Sequence, residues 1–147
     1  SSSRVRETLA NGDFELAEAL MGRPYSIMGR VVYGRQLGRQ LGVPTANIRL
    51  QRYRSALEGV YSVSVDGLDI GPRNGIANIG IRPTVGGKEP LLEVHLFDFS
   101  GDIYGHLLSV TFHQKIRDEK QFASIEFLKT QIEKDIAHSQ DWFRAND

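Results

Sequence analysis

At 147 residues, with 18 Lys and Arg against 18 Asp and Glu and 40% apolar residues, the chain has the size and balance of one globular domain. Zero formal net charge argues against a general polyanion-binding surface, which would carry clustered excess Lys and Arg, so no nucleic-acid partner is expected. No window approaches the roughly 18 apolar residues of a membrane-spanning helix, cysteine is absent, and Ser1-Ser2-Ser3-Arg4 carries no apolar export signal; the expectation is a cytoplasmic domain with no membrane partner, disulfide or thiolate metal site.

Along the chain, Val5, Leu9, Phe14, Leu16, Ala17 and Leu20 are spaced closer to a helical than to an alternating pattern, which predicts two short helices. Asn11-Gly12-Asp13 separates them, with Gly12 as a stop and Asp13 as an N-cap. Gly22-Arg23-Pro24 marks a boundary near residue 24, and β-branched and aromatic runs begin at Tyr25. Strands are expected over 25–33, 46–50, 59–65, 74–79, 91–99 and 107–114, with turns at Asp66-Gly67 and Ser100-Gly101. Six closely spaced strands without intervening helices predict a mainly β fold, an antiparallel barrel. After Arg117, the recurrence of Phe122, Ile125, Leu128, Ile132 and Ile136 predicts a C-terminal helix whose apolar face packs on the barrel, leaving Glu126, Lys129, Glu133 and Lys134 in solvent.

Four segments could carry chemistry. The loop from Gly34 to Gly42 has three glycines at four-residue intervals with Arg35 and Arg39 between them; it could bring backbone N–H groups and guanidinium charge to phosphate, or be a flexible connection with solvated arginines. Thr45 and Asn47, two residues apart behind Pro44, could set two neutral oxygens on one Mg²⁺ that takes its other ligands from nucleotide phosphates and water, or be a plain β-former and turn residue. Glu93 shares its strand face with Leu91, His95, Phe97 and Phe99, so it is either a proton acceptor at a barrel mouth or an edge charge that discourages aggregation. Arg117-Asp118-Glu119-Lys120-Gln121-Phe122 is either a solvated connection or a ligand clamp of two cations and an aromatic ring.

Taken together and in order, Gly29-Arg30-Val31-Val32-Tyr33-Gly34, Pro44-Thr45-Ala46-Asn47, Gly59-Val60-Tyr61, Ala77-Asn78-Ile79-Gly80-Ile81-Arg82-Pro83-Thr84, Leu92-Glu93-Val94-His95-Leu96, Asp102-Ile103-Tyr104-Gly105 and Lys115-Ile116-Arg117 through Phe122 resemble the riboflavin kinase family. The resemblance is nearest to the C-terminal riboflavin kinase module of the bacterial bifunctional riboflavin kinase/FAD synthetase. It implies a six-stranded Greek-key barrel that phosphorylates riboflavin to FMN with ATP. It further implies Thr45 and Asn47 at the magnesium ion and ATP, Glu93 as catalytic base, Gly34, Arg39, Leu96, Asp98 and Tyr104 at ATP, and Arg117, Lys120 and Phe122 at the flavin. The segment around Thr84, Val85 and Gly86-Gly87-Lys88 resembles a flap over the substrates. Ser2-Ser3-Arg4-Val5-Arg6 resembles the last motif of a preceding nucleotidyltransferase (FMN adenylyltransferase) domain, so residues 1–24 are expected to be its helical remnant and linker and 25–147 the kinase domain; without that domain's own nucleotide motif, FAD synthesis is not expected. The competing expectation is a barrel of the same shape that binds flavin or nucleotide without transferring phosphate.

Overall fold

The structure is a computed structural model that describes residues 2–33, 42–50 and 56–147, and of Arg82 the backbone only. Two helices open the chain, α1 over Ser2–Ala10 and α2 over Phe14–Met21. The Asp13 carboxylate accepts the Leu16 N–H at 3.1 Å, satisfying one of the donors that a helix start leaves unpaired. Gly22 closes α2 in the left-handed region at φ 80°, donating its N–H to the Glu18 carbonyl.

Six strands follow: β1 Ser26–Val32, β2 Ala46–Arg49, β3 Gly59–Asp66, β4 Arg73–Thr84, β5 Gly87–Leu96 and β6 Leu107–Arg117. They close into one antiparallel barrel in the order β1-β2-β5-β4-β3-β6. β3, β4 and β5 form a meander and β6 returns beside β3, which is the Greek-key arrangement. Period-two alternation turns Tyr61, Val63, Val65, Ala77, Ile79, Leu92, Val94, Leu108, Val110 and Phe112 inward, where they form the core with Ile48 and Leu57. Helix α2 joins the same core: the Phe14 ring packs edge-on against Tyr61 at 5.8 Å and stacks beside Phe112 at 6.1 Å. Burying such a ring contributes roughly 1.5–3 kcal/mol.

Three expectations need correction. β5 ends at Leu96 rather than running to residue 99, because Asp98 takes φ 52°, a left-handed conformation that an aspartate tolerates and a strand does not. β4 and β5 instead run further the other way, pairing out to Thr84 opposite Gly87, so the expected flap is the end of a long hairpin with Val85 fully exposed. The third correction concerns the last helix, α3, over Ile125–Ala145. Leu128, Ile132 and Ile136 are half-buried, but Ile125 and Phe127 are exposed and the residues the helix buries most are Asp135 and Ser139. α3 lies on the outer wall of the barrel, over β3, β4 and β6, where the strands present Ser62, Gln114 and Arg117 as well as apolar groups.

Candidate active site

A cleft of about 570 Å³ opens between β1, β2 and the connection from β5 to β6. Val31, Ala46, Val94 and Leu96 give it an apolar wall, Thr45, Asn47 and Asp102 give it polar groups, and Phe99, Ile103 and Tyr104 close the far side. Tyr33 and Tyr104, both largely exposed, stack at 3.9 Å with their rings 13° apart, which shields part of each ring from water. The Pro44-Thr45 turn is fixed from β5: His95 Nδ1 lies 2.8 Å from the Pro44 carbonyl, and because a carbonyl only accepts, Nδ1 carries the proton. His95 is thereby a satisfied structural histidine.

Register brings the chemical residues into one line. Asn47 on β2 is directly opposite Glu93 on β5, Glu93 is opposite Asn78 on β4, Asn78 is opposite Val60 on β3, and Val60 is opposite Arg117 on β6. Directly opposed residues share a face, so this row runs around the outer wall of the barrel. Gly59, at φ 130°, begins β3 beside it; a Cβ there would run into the Arg117 carbonyl, so the close approach of β3 and β6 requires glycine. At one end of the row, Thr45 Oγ1 donates to Glu93 Oε2 at 3.4 Å, longer than the usual ~2.7 Å for a hydroxyl donor. Glu93 itself lies outside the lining of the cleft, just behind the Thr45 and Asn47 that form its edge.

At the other end, Arg117 is held by α3. Its Nε and Nη2 reach the Asp135 carboxylate at 2.9 Å, Asp135 also accepts from Gln131, and Nη1 donates to the Asp118 carbonyl. The guanidinium is thus committed to structure on its edges, while its face lies 5.6 Å from the centre of the Phe122 ring. Lys120 Nζ approaches the same ring at 5.7 Å, so the two cations and the aromatic ring do form a cluster. Between the two ends sits Glu119, whose carboxyl packs against the bare backbone of Gly80. Partial burial, then the negative charges of Glu58 and Glu93, push its pKa up against the opposing pull of Arg117 and the Asn78 hydrogen bond.

Of the residues singled out in the sequence, Thr45, Asn47, Leu96 and Tyr104 line the cleft, Glu93 adjoins Thr45, and Arg117, Lys120 and Phe122 cluster at the far end of the row. Asp98 is exposed on its turn and does not line the cleft, and Gly34 and Arg39 lie outside the described residues. Tyr33, Asn78, Glu119 and Asp135 were not singled out. Asp135 had a usable signal, since it falls on the helical stripe of Leu128, Ile132 and Ser139; the other three stand inside the quoted segments, where nothing gave them individual roles.

Thr45 Oγ1 and the Asn47 side chain are neutral oxygen donors adjoining a carboxylate, a set that fits a hard divalent cation completing its shell with phosphate and water. Among the described residues there is no group of three or more His, Asp or Glu that could hold a metal by itself.

The closed six-stranded Greek-key barrel thus carries a cleft, a hydroxyl–carboxylate pair at its edge and a cation–aromatic cluster nearby. The family model for riboflavin kinase matches residues 21–143. The bifunctional riboflavin kinase/FMN adenylyltransferase of Pseudomonas fluorescens is 57% identical over 138 residues, covering 93% of this chain and 44% of its own length. That of Haemophilus influenzae is 52% identical over 145 residues, covering 99% and 47%. The chain therefore spans less than half the length of these curated relatives. Riboflavin kinase from Trypanosoma brucei superposes with a TM-score of 0.58 at 26% identity, over 82% of this chain and 80% of that one. A structure described as a macrolide-efflux protein from Streptococcus pneumoniae gives a TM-score of 0.81 at 37% identity over 92% of this chain and 44% of that one. Among the described residues, no helix is long and apolar enough to cross a membrane. This chain belongs to the riboflavin kinase family.

Proposed function

We propose that this chain transfers the γ-phosphoryl group of ATP to the 5′-hydroxyl of riboflavin, giving FMN and ADP. The observation that carries the reading is the row Asn47–Glu93–Asn78 with Thr45 Oγ1 3.4 Å from Glu93 Oε2, which joins the edge of the cleft to a carboxylate able to take a proton. The cleft, with Leu96 and Tyr104 on its wall, takes the nucleotide, and the Arg117–Lys120–Phe122 cluster takes the flavin ring. Gly34, Arg39 and Asp98 complete the nucleotide set by resemblance alone. A Mg²⁺ held by Thr45 and Asn47 would neutralise phosphate charge. Because Thr45 donates its hydroxyl proton toward Glu93, its oxygen lone pairs face away from the carboxylate and remain available as ligands.

In the reaction the ribityl oxygen bonds to the γ-phosphorus as the bond from that phosphorus to the ADP oxygen breaks, and the hydroxyl proton passes to Glu93. The transition state of such transfers is loose, so most of the acceleration comes from alignment and charge neutralisation. A general base adds about 10²- to 10⁴-fold. Glu93→Gln should lower turnover by that factor while leaving ATP affinity nearly intact, measured as FMN formation from riboflavin and Mg-ATP. Near-normal turnover would remove Glu93 from its role, and binding of both substrates without any FMN would replace the kinase reading by that of a binding barrel.

The same reading assigns residues 25–147 to the kinase unit, as a family match beginning at residue 21 supports, and residues 1–24 to a segment following an FMN adenylyltransferase domain. Phe14 and Ala17 nonetheless pack into the barrel core. A cytoplasmic setting, where ATP is available, goes with it.

A further inference from the structure

The row on the outer wall contains one group that neither the nucleotide end nor the flavin end uses. Asn78 lies on β4 directly opposite Glu93, and its Oδ1 is buried without a hydrogen-bond partner among the described residues. The Glu119 carboxylate lies on the other side of the same amide, near enough for the Asn78 side chain to act on it as a donor and hold its pKa down. Glu119 reaches Asn78 because the next outward position on β4 is glycine: a Cβ on Gly80 would stand 3.1 Å from Glu119 Oε1 and 3.3 Å from its Cδ. The amide nitrogen therefore faces Glu119, and the oxygen is the end left without a partner. Buried acceptors are nearly always hydrogen bonded, so an acceptor left open beside a carboxylate is placed for a donor that comes with a ligand.

The surroundings select the chemistry of that donor. Asn78 Oδ1 and the carboxylates of Glu93 and Glu119 are all acceptors, and the charges nearest Glu119 on this side, Glu58 and Glu93, are negative as well. A neutral chain of hydroxyl groups suits such a strip. In line on one side stand the oxygens of Thr45 and Asn47, and on the other the ring and cations at Phe122. We propose that Asn78, oriented by Glu119, binds an internal hydroxyl of the ribityl chain and so sets the distance between the flavin ring and the reacting oxygen. This rests on the riboflavin kinase reading and deepens it.

The test uses riboflavin analogues that each lack one internal ribityl hydroxyl, with kcat/KM for phosphorylation as the readout. The wild type should lose about 5- to 150-fold on one of them, the range expected when a buried acceptor loses its donor. In Asn78→Ala that analogue and riboflavin should be used equally well, with the KM for ATP unchanged. Glu119→Ala, on an exposed segment, should move the same way, whereas Glu119→Gln keeps an oxygen for the Asn78 amide and should keep most of the discrimination. Should Asn78→Ala fail to fold, Glu119→Ala decides the matter. Indifference of the wild type to every internal hydroxyl, or discrimination undiminished in both alanine variants, overturns the inference while FMN formation leaves the kinase reading standing. A wild type that forms no FMN sinks that reading and this inference with it.

Discussion

The interior of the barrel and its outer wall beneath α3 are built on opposite rules. Inside, Tyr61, Val63, Val65, Leu92, Val94, Leu108, Val110 and Phe112 are essentially inaccessible, and the one hydroxyl among them is answered at the edge by the backbone of Glu58. Outside, the wall is polar at its most buried points: Ser62 and Ser139 are 2.7 Å apart, Ser64 meets His113 at 2.8 Å, and Arg117 is doubly bonded to Asp135. Apolar contact is non-directional and tolerates sliding, whereas hydrogen bonds between named atoms admit one register. The interior therefore supplies most of the stability, and the wall decides where α3 sits. Through Arg117 the wall also decides where the segment carrying Glu119, Lys120 and Phe122 sits.

The largest expected effect lies in the interior. Phe112→Ala should cost about 3–5 kcal/mol in urea unfolding, since the ring contacts Phe14, Tyr25 and Tyr61 and leaves a cavity between them. The variant that remains folded at low temperature should keep its KM for riboflavin. Asp135→Ala strands a half-buried guanidinium, and because Arg117 keeps some access to water the loss should fall at the low end of the ~3–5 kcal/mol range for broken buried pairs. Here the KM for riboflavin should rise as well. Replacing both partners, Arg117→Met with Asp135→Leu, sharpens the contrast: stability should recover to within about 1 kcal/mol of the wild type while the KM stays high. A KM that recovers together with stability would mean that the polar wall does not position the clamp. Ser139→Ala should cost only about 1 kcal/mol, because Ser62 keeps the Gln114 carbonyl as a partner at 3.3 Å.

The same contrast explains what could be read from the sequence. The inward positions of β3, β5 and β6 alternate with polar ones, and each of those strands was visible from that alternation. The far ends of β4 and β5 were not, because Ile81, Lys88 and Val85 there stay exposed and Pro83 and Pro90 interrupt the β pattern, so no burial rhythm marks them. Helix α3 was legible as a helix, with Ser124 capping Phe127, and its Leu128–Ile132–Ile136 side does turn toward the barrel, but apolar spacing alone gave no weight to the polar Asp135 and Ser139 that it buries most. Thr45, Asn47, Glu93 and the Phe122 cluster were recognisable only as motifs. Their alignment depends on cross-strand register, and so Asn78 and Glu119, which no motif rule separates from their neighbours, emerge only once β4 is paired with β5.

The weakest effect probes the wall through protons. His113 bonds Ser64 through Nε2 and packs against Trp142 and Phe143 of α3, and this burial lowers its pKa from 6.5 even though Glu18 opposes the shift. The unfolded chain therefore binds a proton at this residue near pH 6.5, while the folded chain holds the imidazole neutral to lower pH. In that window the unfolded state carries more protons, so stability rises with pH: the contribution is fully present above the unfolded pKa and is lost as pH falls through the folded one. His113→Gln should flatten the fall of Tm between neutral and mildly acidic pH, and the difference between the two curves isolates this residue from the rest of the chain. Phe112→Ala, by contrast, should lower Tm by a similar amount at every pH in the same range, because the described residues of the core cluster include no histidine, aspartate or glutamate. Parallel Tm curves for His113→Gln and the wild type would show that the wall beneath α3 is no more sensitive to protons than the core.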